Sequence, residues 1–304
     1  MTVGVLVMAY GGPDSLDDVP AYLMDVRGGR TTSPELVEET RSRYRAIGGR
    51  SPIRERTACQ AAALERALAS LGDYACHVGM RHWNPRIGDA LRDMDGRGIG
   101  RAVGVVMAPH YSKMSIGAYF DAVAKAGSAI EVAPVEDWHL LPEYLEAVAG
   151  RVRDGVARFP EAERSRIRLL FTAHSLPERI RTWNDPYPAA LVETMDAVMS
   201  RVGSLPHAFA YQSAGRTPEP WLGPDVASTI ERFAGAGVRG VLVVPIGFTS
   251  DHVEVLYDVD IELSARARRL GIHLARIPMI NDDARVMTGL ARVVHERAGS
   301  AGWR

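Results

Sequence analysis

The chain has 304 residues, room for two ordinary domains or one large one. With 46% hydrophobic and 24% charged residues it is composed like a folded globular protein, which excludes extended disorder. A formal net charge of -1 offers no basic face for nucleic acid, and no segment reaches the roughly 20 apolar residues of a membrane span.

The first strand pattern is Val3–Ala9, with no basic stretch, apolar core or cleavage site before it. No signal peptide is therefore expected, and a cytoplasmic protein is the simplest reading. Helical periodicity covers Thr57–Leu71, a strand follows at Ala75–Met80, and a helix at Pro85–Met94. The Val-rich run Ala102–Ala108 is a strand, and two prolines with charged residues then interrupt the pattern at Ala133–Pro142. The second half repeats the alternation. Helices are predicted at Glu143–Arg158, Pro188–Val202 and Val253–Arg269, and strands at Ile167–Ala173, His207–Tyr211 and Val238–Ile246, with a weaker one at Ile272–Ala275. Continuous apolar strands separated by helices predict parallel sheets covered on both faces, a doubly wound α/β architecture.

Gly98–Ser112 and Gly237–Ser250 resemble each other: each is a Val-rich strand with a Pro near its end and a turn ending in Ser. That suggests two similar halves. Ligands of open parallel sheets bind beyond the carboxyl ends of the strands, so the loops there carry the information. They hold Tyr10 to Pro13, His110 to Ser112, His174 to Pro177, Gln212 to Gly215, and Gly247 up to Glu254. No glycine-rich phosphate loop, zinc-binding HExxH or GxSxG elbow is present. The only cysteines, Cys59 and Cys76, fit no metal or redox spacing and read as small buried hydrophobes.

His174 closes the strand RIRLLFTAH, where a neutral imidazole can meet a metal or accept a proton; hydrogen bonding to a loop is the plainer alternative. Glu254, Asp258 and Glu262 stand at i, i+4 and i+8 of the predicted helix, a ladder of three carboxylates. Such a ladder either faces water or hands a hard divalent cation along, and a π-type bulge would shift its register.

Together the segments VLVMAYGGP, RYRAIGGRSP, GMRHWNP, APHYS, TAHSLPE, YQSAGRTPEPWLGPDV and PIGFTSDHVEVLYDVD resemble the ferrochelatase family along nearly the whole chain. The resemblance implies two Rossmann-like domains, here residues 1–135 and 136–304, with a porphyrin cleft between them. It implies that His174 is the metal-site histidine and Glu254 the carboxylate facing it across the macrocycle, both of them catalytic and meeting the metal, and that Asp258 and Glu262 lead from Glu254 toward the surface. Tyr10 matches a tyrosine approaching the metal from the opposite face in coproporphyrin-type members, while Arg27, Arg43, Tyr44, Ser51 and Tyr119 match porphyrin-contacting positions. Fe2+ enters as substrate, beside a porphyrin. No bound cofactor is expected, and with two cysteines the chain lacks the four that hold a [2Fe-2S] cluster in many relatives.

Coproporphyrin carries four propionates and protoporphyrin two, so the former asks for more cationic or polar neighbours. Arg27, Arg30, Arg43 and Lys113 lie on segments that could reach it, and MAYGGP is similar to the coproporphyrin-using branch. The expected activity is therefore insertion of Fe2+ into coproporphyrin III by a monomer. Protoporphyrin IX insertion, a chelatase for another tetrapyrrole such as sirohydrochlorin, and a non-catalytic porphyrin carrier are the alternatives.

Overall fold

The computed structural model describes residues 1–303; Arg304, the last residue of the C-terminal segment, lies outside them. In chain order the elements are β1 (Val3–Ala9), α1 (Val19–Val26), α2 (Pro34–Ala46), α3 (Ile53–Leu68), β2 (Tyr74–Met80), α4 (Ile87–Gly96), β3 (Arg101–Val106), α5 (Ala118–Lys125) and β4 (Glu131–Val135). Then follow α6 (Pro142–Ala157), β5 (Arg168–His174), α7 (Tyr187–Val202), β6 (His207–Gln212), α8 (Val226–Gly235), β7 (Gly240–Pro245), α9 (Val253–Leu256), α10 (Ser264–Arg269), β8 (His273–Arg276) and α11 (Ala284–Ser300).

The strands form two parallel sheets of four, ordered β2-β1-β3-β4 and β6-β5-β7-β8. In each half the first strand pairs with the second and third, and the third with the fourth. The likeness between Gly98–Ser112 and Gly237–Ser250 is thus a likeness between β3 and β7, which hold the same place in their sheets. Central strands β1 and β7 are buried at every residue. Such a strand needs apolar side chains on both faces, which is why its sequence runs apolar without alternating.

Two expectations need correction. Ala133–Val135 do not interrupt the pattern but complete β4, whose Pro134 stands opposite Gly104. β4 is the outermost strand, where a missing N–H removes no bond to a further neighbour. Val253–Arg269 is not one α-helix: α9 gives way after Leu256 to a π-helical turn over Asp258–Leu263, and α10 resumes at Ser264. A second π-helical turn, Lys113–Gly117, follows β3, so each half widens its helix at the equivalent place.

The largest core cluster runs through both halves. Leu64 and Leu68 of α3, Val103 and Val105 of β3, Tyr144 and Val152 of α6, and Leu242 of β7 share it with Leu290 and Val294 of α11. Helix α11, at the end of the second half, packs against α3, β3 and β4 of the first as well as α6. Burying a side chain such as Leu290 contributes about 1.5–3 kcal/mol. This shared packing holds the two sets of strand ends to one cleft.

Candidate active site

A cavity of about 300 Å³ opens where the carboxyl ends of the two sheets meet. It is lined from the first half by Tyr10, Tyr44, Ser51, Arg81 and Tyr119, and from the second by His174, Tyr187, His252 and Glu254. Within each half a glycine lets the loops at the strand ends pack closely. A Cβ on Gly247 would lie 2.5 Å from Ala173 Cβ, and one on Gly12 would lie 2.5 Å from Ser51 Oγ. No side chain could stand at either position without moving the site apart.

His174 is the last residue of β5, and its carbonyl accepts a hydrogen bond of 2.9 Å from the Tyr187 hydroxyl. Its Nδ1 meets Glu254 Oε2 at 3.1 Å, so the two stand side by side on one wall and do not face each other across the space for a macrocycle. Glu254 lies in the first turn of α9, and Gln212 donates to its backbone carbonyl at 2.7 Å. Both side chains are deep in protein yet keep about a third of their surface open to the cleft, 33% and 31%.

Burial alone would lower the proton affinity of His174. The charge of Glu254, its hydrogen bond, and Asp258 behind it outweigh that and raise it above the ordinary imidazole value. Burial likewise pushes the Glu254 carboxyl up, but His174 and His252 hold it far below the ordinary range. Each partner thus favours the charged form of the other. His252 Nε2 lies 3.8 Å from Glu254 Oε2, while its Nδ1 is 2.9 Å from the Ser250 carbonyl. The resulting donor set is imidazole and carboxylate, which suits a borderline divalent metal.

Asp258 begins the π-helical turn. Ser213 donates to its Oδ2 at 2.5 Å, and Arg43 approaches Oδ1 at 3.4 Å. Burial, with the charges of Glu254 and Glu262, outweighs these two and pushes its carboxyl up to about 6. Asp258 thus lies within electrostatic reach of both Glu254 and Glu262, and Glu262 is exposed. Opposite, Tyr10 packs its ring 4.6 Å from that of His82. Burial, then the charge of Glu254, pushes its phenol up to about 12, so it stays an O–H donor at neutral pH.

Of the residues singled out from sequence, the cavity brings together Tyr10, Tyr44, Ser51, Tyr119, His174 and Glu254. Arg27 and Arg43 are not among its lining residues. The Arg43 guanidinium is engaged by Asp258 and Glu39 and covers the Tyr257 ring, and the Arg27 Nε is buried without a partner. Arg30 is exposed, as is Lys113, whose ammonium lies 5.7 Å from the Trp183 ring centre.

Sequence reasoning passed over Arg81, which directly follows β2 and stands 5.5 Å from the Tyr119 ring centre, although strand ends were the places to search. It also gave no role to His252, Gln212 or Ser213. Their positions in named loops were a signal, but their partners lie 2 to 45 residues away in sequence.

The sequence pattern of the Ferrochelatase family matches residues 2–298. The chain is 42% identical to a ferrochelatase of Deinococcus radiodurans, covering 97% of this chain and 96% of that one. It is 40% identical to a coproporphyrin III ferrochelatase of Geobacillus kaustophilus, covering 100% and 98%. Among solved structures, SirB from Bacillus subtilis with Fe3+ matches with a TM-score of 0.60 over 99% of this chain and 98% of that one. At 13% identity that likeness speaks for the fold alone. Two parallel sheets facing one cleft, a histidine–carboxylate pair at its base and whole-chain likeness at about 40% identity converge: this chain belongs to the ferrochelatase family.

Proposed function

We propose that this enzyme inserts Fe2+ into coproporphyrin III, with His174 and Glu254 as the residues that receive the metal and take up pyrrole protons. The observation that carries this reading is the 3.1 Å His174–Glu254 pair on one wall of a cleft whose other wall presents Tyr10. A free porphyrin must lose two N–H protons as the metal enters, so the site needs a base near the ring centre. Unprotonated His174 supplies one, and a mixed imidazole–carboxylate set holds Fe2+ loosely enough to release it. Binding along the aromatic wall of Tyr44 and Tyr119 supplies energy for bending the ring toward the metal.

The choice of coproporphyrin rests on Tyr10, on Arg81 and Ser51 in the lining, and on relatives named for that substrate. Residues 1–135 are assigned the porphyrin-contacting role and residues 136–304 the metal-handling one. The enzyme is proposed to act as a monomer in the cytoplasm without a bound cofactor; Cys59 and Cys76 are too few to ligate an iron–sulfur cluster. The test follows porphyrin fluorescence during Fe2+ addition with coproporphyrin III and protoporphyrin IX in parallel. Faster turnover of the former is expected, and equal or faster turnover of the latter would overturn the substrate assignment.

A further inference from the structure

Glu254 stands on a helix too short to fix itself. Four residues make α9, and a single turn in isolation is unstable. The stretch from Phe248 to His252 has no regular structure, so something else must hold the backbone that carries Glu254.

Asn281, in the loop between β8 and α11, meets that stretch three times. Its N–H donates to the Thr249 carbonyl at 2.6 Å. Its Oδ1 accepts from the Asp251 N–H at 3.0 Å, and its Nδ2 donates to Asp251 Oδ2 at 2.9 Å. Asn281 adopts φ 49°, a left-handed conformation that Asn tolerates better than other non-glycine residues. Its own carbonyl accepts from Gln60 Nε2 at 3.1 Å, and Gln60 belongs to α3 of the first half. Thr249 is tied to the same half, its hydroxyl donating to the Met107 carbonyl at 2.7 Å. Arg276 reaches Asp251 at 3.5 Å while holding Asp260 of the π-helical turn at 2.7 and 2.8 Å.

We infer that Asn281 is a positioning residue for metal insertion, clamping Asp251 so that Glu254, three residues on, is held against His174. The inference rests on the proposed role of Glu254. Asn281 touches neither substrate nor metal in this arrangement. Both contacts with Asp251 come from one amide, and both would be broken together.

The test uses four variants of the full-length chain. Asn281→Gly keeps the left-handed backbone and removes the amide, so a fall in kcat of about tenfold or more is expected, with porphyrin affinity within about threefold. Asn281→Asp sets two carboxylates against each other, and Asp251→Asn leaves two amides facing; each should lose activity. The double variant Asn281→Asp/Asp251→Asn restores a carboxylate–amide pair with the roles exchanged, and should recover to within about threefold of the parent. A role in packing alone would not produce that reciprocal rescue. Amide hydrogen exchange over residues 251–257 gives a readout independent of turnover: faster in Asn281→Gly, restored in the double variant. Wild-type kcat in Asn281→Gly, a double variant no better than its worse parent, or unchanged exchange would each overturn the inference. Should the unmodified enzyme insert iron into neither porphyrin, the proposed function falls, and the exchange measurements still decide whether Asn281 holds the loop.

Discussion

The two halves share one strand order but not one chemistry. At the strand ends of the first sheet stand Tyr10, Arg81 and, beyond β3, Tyr119: large side chains that offer surface, O–H groups and fixed positive charge. At the strand ends of the second stand His174, Glu254 and Asp258, whose proton affinities are all displaced by burial and by neighbouring charges. The π-helical turns repeat the contrast, Lys113–Gly117 without an acidic residue and Asp258–Leu263 with three. A common scaffold thus supplies the placement, and in the proposed function loop composition assigns the macrocycle to one half and the cation to the other.

The contrast predicts that substitutions in the second half reduce turnover while those in the first reduce substrate recognition. The largest effect is expected for His174→Ala. Turnover should fall by two orders of magnitude or more while porphyrin affinity, read by fluorescence titration, stays within about tenfold, or about 1.4 kcal/mol. Loss of binding with preserved turnover would erase the division between halves.

Next comes Glu254→Gln, read as the pH dependence of kcat. Metal can take His174 only when its imidazole is unprotonated, and Glu254 raises the proton affinity of that imidazole. The acid limb of the wild-type profile should therefore lie above the ordinary histidine midpoint of about 6.5. Removing the charge leaves burial dominant, so the limb should move to lower pH even as kcat falls. A limb that stays in place would detach Glu254 from His174.

A smaller effect belongs to the outer carboxylates. Asp258→Asn and Glu262→Gln should each raise the Michaelis constant for Fe2+, by about three- to tenfold, at saturating porphyrin. Because the Asp258 carboxyl is pushed up to about 6, the wild-type constant should itself rise as pH falls through that value. The Asp258→Asn enzyme should lose that dependence. Unchanged iron kinetics in both variants would make the ladder a solvated face.

The smallest effects sharpen the first half. Tyr10→Phe should narrow the preference for coproporphyrin III over protoporphyrin IX by a few-fold. Arg43→Ala should act more on iron than on porphyrin, since its guanidinium meets Asp258 and Glu39 rather than the cavity. A porphyrin affinity lowered by 1–3 kcal/mol, the loss of a charge-assisted contact, would show instead that Arg43 turns into the cleft on binding.

The second half was the more legible in sequence. Val238–Ile246 and Ile167–Ala173 announce β7 and β5 through unbroken apolar runs, and a histidine at a strand's carboxyl end is visible as such. The break in Val253–Arg269 was not, because Leu256 to Asp258 carry no proline or glycine to mark it. The bond from Glu262 N–H to the Tyr257 carbonyl, five residues back, creates the widening, and backbone pairing leaves no trace in side-chain periodicity. Strand β4 was hidden by Pro134, which at an edge costs nothing that a sequence pattern can see. The charge of Arg43 is apparent in sequence and its place matches a porphyrin-contacting position of the family, but its contact with Asp258 is not legible there because that partner lies 215 residues away.

Helix α11 has a consequence for how the protein is made. The apolar underside of the first sheet near Val103 and Val105, complete once β4 has been synthesised, is covered in part by Leu290 and Val294. Those residues leave the ribosome only after the whole second half. For most of translation the first half therefore carries an uncovered oily surface, the kind that chaperones hold and that drives neighbouring nascent chains together. Completion of the shared core waits for α11. A chain stalled before Ala284 should be captured by holdases or aggregate, even though both sheets have been fully written.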